Sequence, residues 1–205
     1  MFTKEEYLTR MNHTKQKMME YGVEVLLISN PSNMYYLTGY NAWSFYVHQI
    51  LVVMIDEEQP IWIGRQMDAH SARVTTWLDE SHIIPYPDEF VQSTIKHPMD
   101  FVANILNEIG QGNRKIGLEM DSFYFTAMCY ERIVQGLPNA EFRNFSTLVN
   151  WVRLIKSDQE IECMKKAARI VENATHAAYY TADVGIREND VAAAIYQAQI
   201  RLSFR

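Results

Sequence analysis

The sequence predicts an α/β fold, a mixed β-sheet flanked by helices. Three observations carry this. Short, β-branched apolar runs alternate with longer stretches of helical periodicity. Two of the runs are separated only by a short polar turn, so part of the sheet is antiparallel. Glycine, proline or a helix cap marks most of the junctions between runs.

The elements follow in order. Thr3 and Glu6 stand in capping-box spacing, and Leu8, Met11, Met18 and Met19 lie on one side before Gly22, which predicts a first helix. "VEVLLIS", Val23 to Ser29, is apolar enough to be a strand covered on both faces. Asn30-Pro31-Ser32-Asn33 breaks it, and Tyr35, Tyr36 and Tyr40 flank Gly39 in an expected turn, their rings packing at the sheet edge. "QILVVMID" and "PIWIG" flank Glu57-Glu58-Gln59 and read as a hairpin. A helix near Gln66 to Leu78, a strand near His82 to Tyr86 and a helix opened by Pro98 come next, the last carrying Phe101, Val102, Ile105, Leu106 and Ile109. After Gly110 and Gly112 come the strand "KIGLEM", a helix near Phe123 to Gln135, the strand "EFRNF" and the apolar-periodic "TLVNWVRLI".

A boundary is expected near Lys156, giving one domain over residues 1–155 and a second segment over 156–205. Ser157 and Glu160 form a capping box, and Ile161, Met164, Ala168, Val171, Thr175 and Ala178 keep helical spacing behind it. A second, alanine-rich helix, "VAAAIYQAQI", follows a polar break. Two helices cannot bury their own apolar faces as a domain, so 156–205 reads as the opening of a larger, truncated unit.

Composition narrows the function. The chain has 205 residues, is 48% hydrophobic and carries a formal charge of −6 without a block of like charges, which disfavours nucleic acid and anionic membranes as partners. No apolar run reaches the roughly 20 residues needed to span a bilayer, and the acidic opening does not resemble a signal peptide. A cytoplasmic protein is expected, in keeping with Cys129 and Cys163, which lack paired motif spacing. Asn12, Asn144 and Asn173 head glycosylation tripeptides that matter only in a secreted chain.

Candidate metal ligands are scattered. Asp68-Ala69-His70 is a D-x-H on an expected surface helix, and Glu172 and His176 stand one helical turn apart; both read as solvated groups. Arg65 and Arg73 read as surface charges. No G-x-S-x-G elbow, phosphate loop or Cys-x-x-Cys occurs. No catalytic and no metal-ligating residue is assigned. The aromatic loop differs, because Trp43, Phe45 and Tyr46 precede the apolar run that begins at Ile50. They serve either as packing anchors at an interface or as a surface for a ligand.

Two motifs at opposite ends of the chain carry a family resemblance. Asn30-Pro31-Ser32-Asn33-Met34-Tyr35-Tyr36-Leu37-Thr38-Gly39-Tyr40 looks like the N-P-x-N-x-x-Y-L-T-G-Y signature of the creatinase/prolidase ("pita-bread") metallohydrolase superfamily. Lys156-Ser157, Glu160-Ile161 and Met164 to Ala168 resemble the entry helix of that family's catalytic domain. Trp43 to Gln49, Tyr86-Pro87-Asp88, Val91 to Thr94 and His97 to Asp100 are similar to its ectoine-hydrolase branch.

The resemblance implies a creatinase/aminopeptidase P-like, ribonuclease H-like N-terminal domain followed by the first helices of the pita-bread domain. It further implies a homodimer in which the aromatic loop covers the neighbouring subunit's active site, making Trp43, Phe45, Tyr46 and His48 candidate substrate contacts, with the charge of His48 varying near neutral pH. Phe45 matches a phenylalanine of the creatinase loop, whereas Val47 stands where creatinase has its carboxylate-gripping arginine. The implied substrate is a small zwitterion such as ectoine, with a proline-containing peptide as the alternative. The implied catalytic set, two Asp, one His and two Glu, belongs to the later domain. No cofactor is therefore expected in this chain, although the complete enzyme can use a divalent metal. A third reading is a stand-alone, non-catalytic binding or interaction module.

Overall fold

The computed structural model describes residues 2–44 and 46–203. The chain divides into two compact units, Met1–Leu154 and Ile155–Arg205.

The first unit is built on a six-stranded sheet, β1 (Val25–Ile28), β2 (Ile50–Met54), β3 (Ile61–Arg65), β4 (Ile83–Tyr86), β5 (Lys115–Leu118) and β6 (Glu141–Asn144), in the order β4-β3-β2-β1-β5-β6. Pairing is mixed: β2 runs antiparallel to both β1 and β3, while the β1/β5, β5/β6 and β3/β4 pairs are parallel. The expected hairpin and mixed sheet are thus present.

Alternation along β1 sends Val25 and Leu27 to one face and Leu26 and Ile28 to the other, and all four are fully buried. Helices α4 (Pro98–Glu108) and α5 (Ala127–Gly136) cover the first face through Met99, Val102, Leu106, Cys129 and Ile133. Helices α1 (Lys4–Glu20), α2 (Pro31–Thr38), α3 (Ala69–Thr75) and α6 (Leu148–Val152) cover the second, with Met11, Met18, Met34, Leu37, Ala72 and Leu148 at the contact.

Three sequence expectations are corrected. Asn30 does end β1, but Asn30 Oδ1 then accepts from Ser32 N at 2.9 Å and Pro31 opens α2, so the expected turn around Tyr35 and Tyr36 is a helix. Gly39 closes it at φ +80°, where only glycine fits well: a Cβ would lie 2.7 Å from the Tyr7 hydroxyl. Helix α5 begins after its cap Thr126, not near Phe123, which is fully exposed. Met19 faces solvent, and the buried stripe of α1 is Tyr7, Arg10, Met11, Thr14 and Met18.

In the second unit, Ser157 and Glu160 form the expected capping box at the start of α7 (Asp158–Thr181), which packs against α8 (Glu188–Ser203). Ala174 is the one buried side chain among this unit's described residues, while Val171, Tyr179, Tyr180 and Tyr196 are exposed.

Candidate functional site

One rim of the sheet gathers most of the polar chemistry of the first unit. At its centre is Glu119, just past β5 and 2% exposed. Its Oε2 accepts from the backbone amides of Ser29 at 2.8 Å and Asn30 at 2.7 Å, and its Oε1 from Asn33 Nδ2 at 2.6 Å. Asn33 also donates to Asn150 Oδ1 at 2.9 Å and accepts from Arg153 Nη1 at 2.7 Å. Every group facing this carboxylate is a donor, which suits the ionised form, yet burial pushes its pKa above the ordinary value against these hydrogen bonds. The Asn-Pro-Ser-Asn stretch is therefore a capped helix start clamped to β5.

Beside it, residues 41–49 run from Gly39 into β2. The base of this loop is pinned at three points. Tyr86 donates its hydroxyl to His48 O at 2.6 Å, Gln49 Nε2 donates to Tyr40 Oη at 2.9 Å and to Asp68 Oδ2 at 3.1 Å, and His48 Nδ1 sits 3.2 Å from Tyr124 O. A carbonyl can only accept, so Nδ1 carries the His48 proton and Nε2 is left with the lone pair. The loop's rings stay outside: Trp43 and Tyr46 are each 59% exposed, with Trp43 edge-on to Tyr124 and the Tyr46 hydroxyl against Arg65. Phe45, the remaining aromatic candidate, lies outside the described residues.

His48 lines two small cavities. One, of about 190 Å³, is lined by Ser29, Ser44, Tyr46, Gln49 and Tyr124; the other, of about 160 Å³, by Tyr46, Phe90, Ser93, Lys96 and His97.

The structure also brings together three groups that the sequence left apart. His48, the α4 cap His97 and Cys129 in the first turn of α5 place one ligand-type atom each within 4.8 Å of the others. The imidazole centroids are 5.1 Å apart, and both His48 ring nitrogens are 3.5 Å from Cys129 Sγ. Burial lowers the His48 pKa, contrary to the expectation of a charge varying near neutrality. Burial, then the neighbouring His48, takes His97 down to about 4, and burial pushes the Cys129 thiol up. Neither histidine carries a proton's charge near pH 7.

No helix among the described residues is long and apolar enough to cross a membrane. Other sequence candidates stay apart. His70 is exposed while Asp68 accepts from Gln49, and His176 stacks on Tyr180. Arg65 and Arg73 pair with Asp88 and Glu80 at 2.8 and 2.7 Å. The two Asp, one His and two Glu that the resemblance implies are not gathered among the described residues. Sequence reasoning missed Glu119, read as a strand residue, and missed His97 and Cys129. The signals that mark them were the Asn30-Pro31 helix start, which needs a partner across the sheet, and the His-Pro and Thr-x-x-Cys pairs that open α4 and α5.

Comparison with known proteins agrees with this architecture. The family model for the creatinase/prolidase N-terminal domain matches residues 10–155. Ectoine hydrolase of Halomonas elongata is 42% identical over 200 residues, 97% of this chain and 50% of its own length. The uncharacterized hydrolase/peptidase y4tM of Sinorhizobium fredii is 44% identical over 97% of this chain and 51% of its own. Among solved structures, an Xaa-Pro dipeptidase from Bacillus anthracis superposes with a TM-score of 0.73 at 21% identity, over 95% of this chain and 49% of that one. The chain thus spans about half the length of the curated relatives it matches. By the match over residues 10–155 and the mixed sheet that underlies it, the chain belongs to the creatinase/prolidase N-terminal domain family.

Proposed function

We propose that this chain is the N-terminal part of an ectoine-hydrolase-like enzyme and that its 41–49 loop is a lid over the active site of a second subunit in a homodimer. The observation that carries the reading is the loop itself. Its base is fixed by hydrogen bonds from Tyr86, Gln49 and His48, while Trp43 and Tyr46 are held outward. A rim of rigid aromatic faces suits a compact zwitterion whose delocalised amidinium cation stacks on them, at about 0.5–2 kcal/mol per contact. The 42% identity with the Halomonas enzyme over nearly the whole chain supports this substrate class. Residues 156–205 are then the first two helices of the catalytic domain.

In the intact enzyme, water adds to the amidine carbon of ectoine and a ring C–N bond breaks, giving an acetylated diaminobutyrate. The groups that activate the water and stabilise the tetrahedral centre belong to the portion of such enzymes that this chain does not span. This chain's residues bind, orient and exclude water.

The test is to fuse this chain to the C-terminal half of an ectoine hydrolase and follow ring opening by NMR. Activity that loses KM on Trp43→Ala or Tyr46→Ala supports the lid. Cleavage of Xaa-Pro dipeptides with ectoine untouched transfers the assignment to a peptidase. Ring opening by the 205-residue chain alone refutes the division of labour.

A further inference from the structure

We propose that His48, His97 and Cys129 form a binding site for one thiophilic divalent cation, Zn²⁺ by its chemistry, with the fourth coordination position open to the cavity beside His48 and His97. This inference stands independently of the lid.

Two imidazoles and a thiolate are a donor set for zinc, and three protein ligands with one open position are the arrangement that admits a water or an external ligand. Zinc bonds of roughly 2.0–2.3 Å place neighbouring donors roughly 3.3–3.7 Å apart in a tetrahedron. The three ligand atoms, now within 4.8 Å of one another, need to draw in by about an ångström. His48 is already prepared: its Nδ1–H is held by Tyr124 O, the backing that metal-bound histidines carry, which fixes the ring with both nitrogens 3.5 Å from Cys129 Sγ and frees the Nε2 lone pair for a cation. Cys129 sits in the first turn of α5, which fixes its sulfur beside the two imidazoles, and Thr126 Oγ1 lies 3.4 Å from that sulfur. On binding, the thiol gives up its proton to the solvent and becomes the thiolate ligand.

His97 carries a conflict that makes the proposal testable. Its Nδ1 accepts from Met99 N at 3.1 Å and caps α4. A ring bound to a cation through Nε2 must carry its proton on Nδ1, facing that N–H, so the cap and the cation exclude each other. One cap is worth roughly a factor of five in an equilibrium, far less than the affinity of a cysteine-containing zinc site. The cation prevails, and α4 gives up the His97 half of its capping box while Asp100 keeps its bond to His97 N at 2.8 Å.

The experiment uses the whole chain carrying Cys163→Ser, which removes the exposed thiol. Anaerobic titration with Co²⁺ should give a thiolate-to-cobalt charge-transfer band in the near ultraviolet and the strong visible bands of a four-coordinate ion. The stoichiometry is one ion per chain, displaced by Zn²⁺. Cys129→Ser should abolish the charge-transfer band. His97→Asn, which keeps a capping oxygen for α4, should weaken cobalt at least about tenfold, since losing even an outer partner of a ligand costs that much. Zn²⁺ should also speed hydrogen exchange of the Met99 amide, a readout that survives if either variant misfolds. A titration without a charge-transfer band, a band unchanged by both substitutions, or a Met99 amide insensitive to Zn²⁺ overturns the site.

Discussion

Replacing Glu119 with alanine tests the joint that holds the Asn30 to Tyr40 segment. The carboxylate accepts from three N–H donors at 2.6–2.8 Å, and at 2% exposure little solvent reaches it. An unpaired buried donor costs about 1–3 kcal/mol, so three of them set a range of about 3–9 kcal/mol. Two effects pull the loss to the low end. Water can enter the vacated space and serve a donor. The variant also no longer buries a charge, a cost visible in the raised Glu119 pKa. The expected loss is about 3–4 kcal/mol, near the cost of breaking a buried ion pair and a large share of the total for a domain. Urea unfolding followed by circular dichroism should show it, with a Tm lower by about 6–16 °C.

The pH dependence of that loss has a definite sign. A raised folded-state pKa means that the contribution of Glu119 is greatest below its ordinary value of 4.5 and falls as pH rises through the raised one. The gap between wild type and variant should therefore narrow on going up from about pH 4.5. His48 and His97 are present in both proteins and cancel. A loss under about 1 kcal/mol refutes the assignment of these donors to Glu119, and a gap that widens with pH refutes the dominance of burial over them.

Three further outcomes follow from single contacts. His97 is held down to about 4, so its neutral form supports folding above its ordinary 6.5 and that support is lost as pH falls toward 4; His97→Asn should flatten urea midpoints across that window. Tyr86→Phe keeps the buried ring and removes the donor to His48 O, costing about 1–2 kcal/mol in urea unfolding and speeding proteolysis within residues 41–49. Gly39→Ala forces φ +80° on a residue whose Cβ lies 2.7 Å from the Tyr7 hydroxyl and 3.0 Å from Thr75 O, and should cost about 2–4 kcal/mol in thermal unfolding.

What the sequence disclosed depended on whether the signal was local. Strands β1 to β5 were legible because each is a mostly apolar run short enough to exclude a helix, and the hairpin because Glu57-Glu58-Gln59 left no room for a crossover. Helix α2 was not, because Pro31 was weighed as a breaker when, behind a capping Asn30 and ahead of Gly39, it is a first helical residue. Eight residues give too few turns for apolar periodicity to correct that error. The aromatic loop was visible as composition, but the depression of the His48 pKa was not, since it comes from burial against residues far along the chain. His97 entered only as part of a family resemblance and Cys129 only as a cysteine without paired motif spacing, so nothing local joined them.

Sheet topology explains why these distant groups meet. Strands β1 and β5 are parallel, so Ser29 and Glu119 emerge from the same end of the sheet; β2 is antiparallel to β1, so it enters where β1 leaves, which brings His48 and Gln49 to that end. Strand β3 reverses again and β4 follows it in parallel, adding Arg65 and Tyr86 to the same rim. Ligands of open α/β sheets collect at such rims, because strand ends there release loops instead of continuing the hydrogen-bond ladder. The register is tight: Ile28 pairs with Leu51 and Leu27 with both Val52 and Leu118, all buried. A one-residue slip of β2 would send Leu51 and Val53 to the wrong core and carry His48 away from Cys129. The side chains that fix the cores therefore also fix the rim, and the loop and the His48–His97–Cys129 cluster inherit their geometry from the apolar core in which Val47 and Cys129 are anchored.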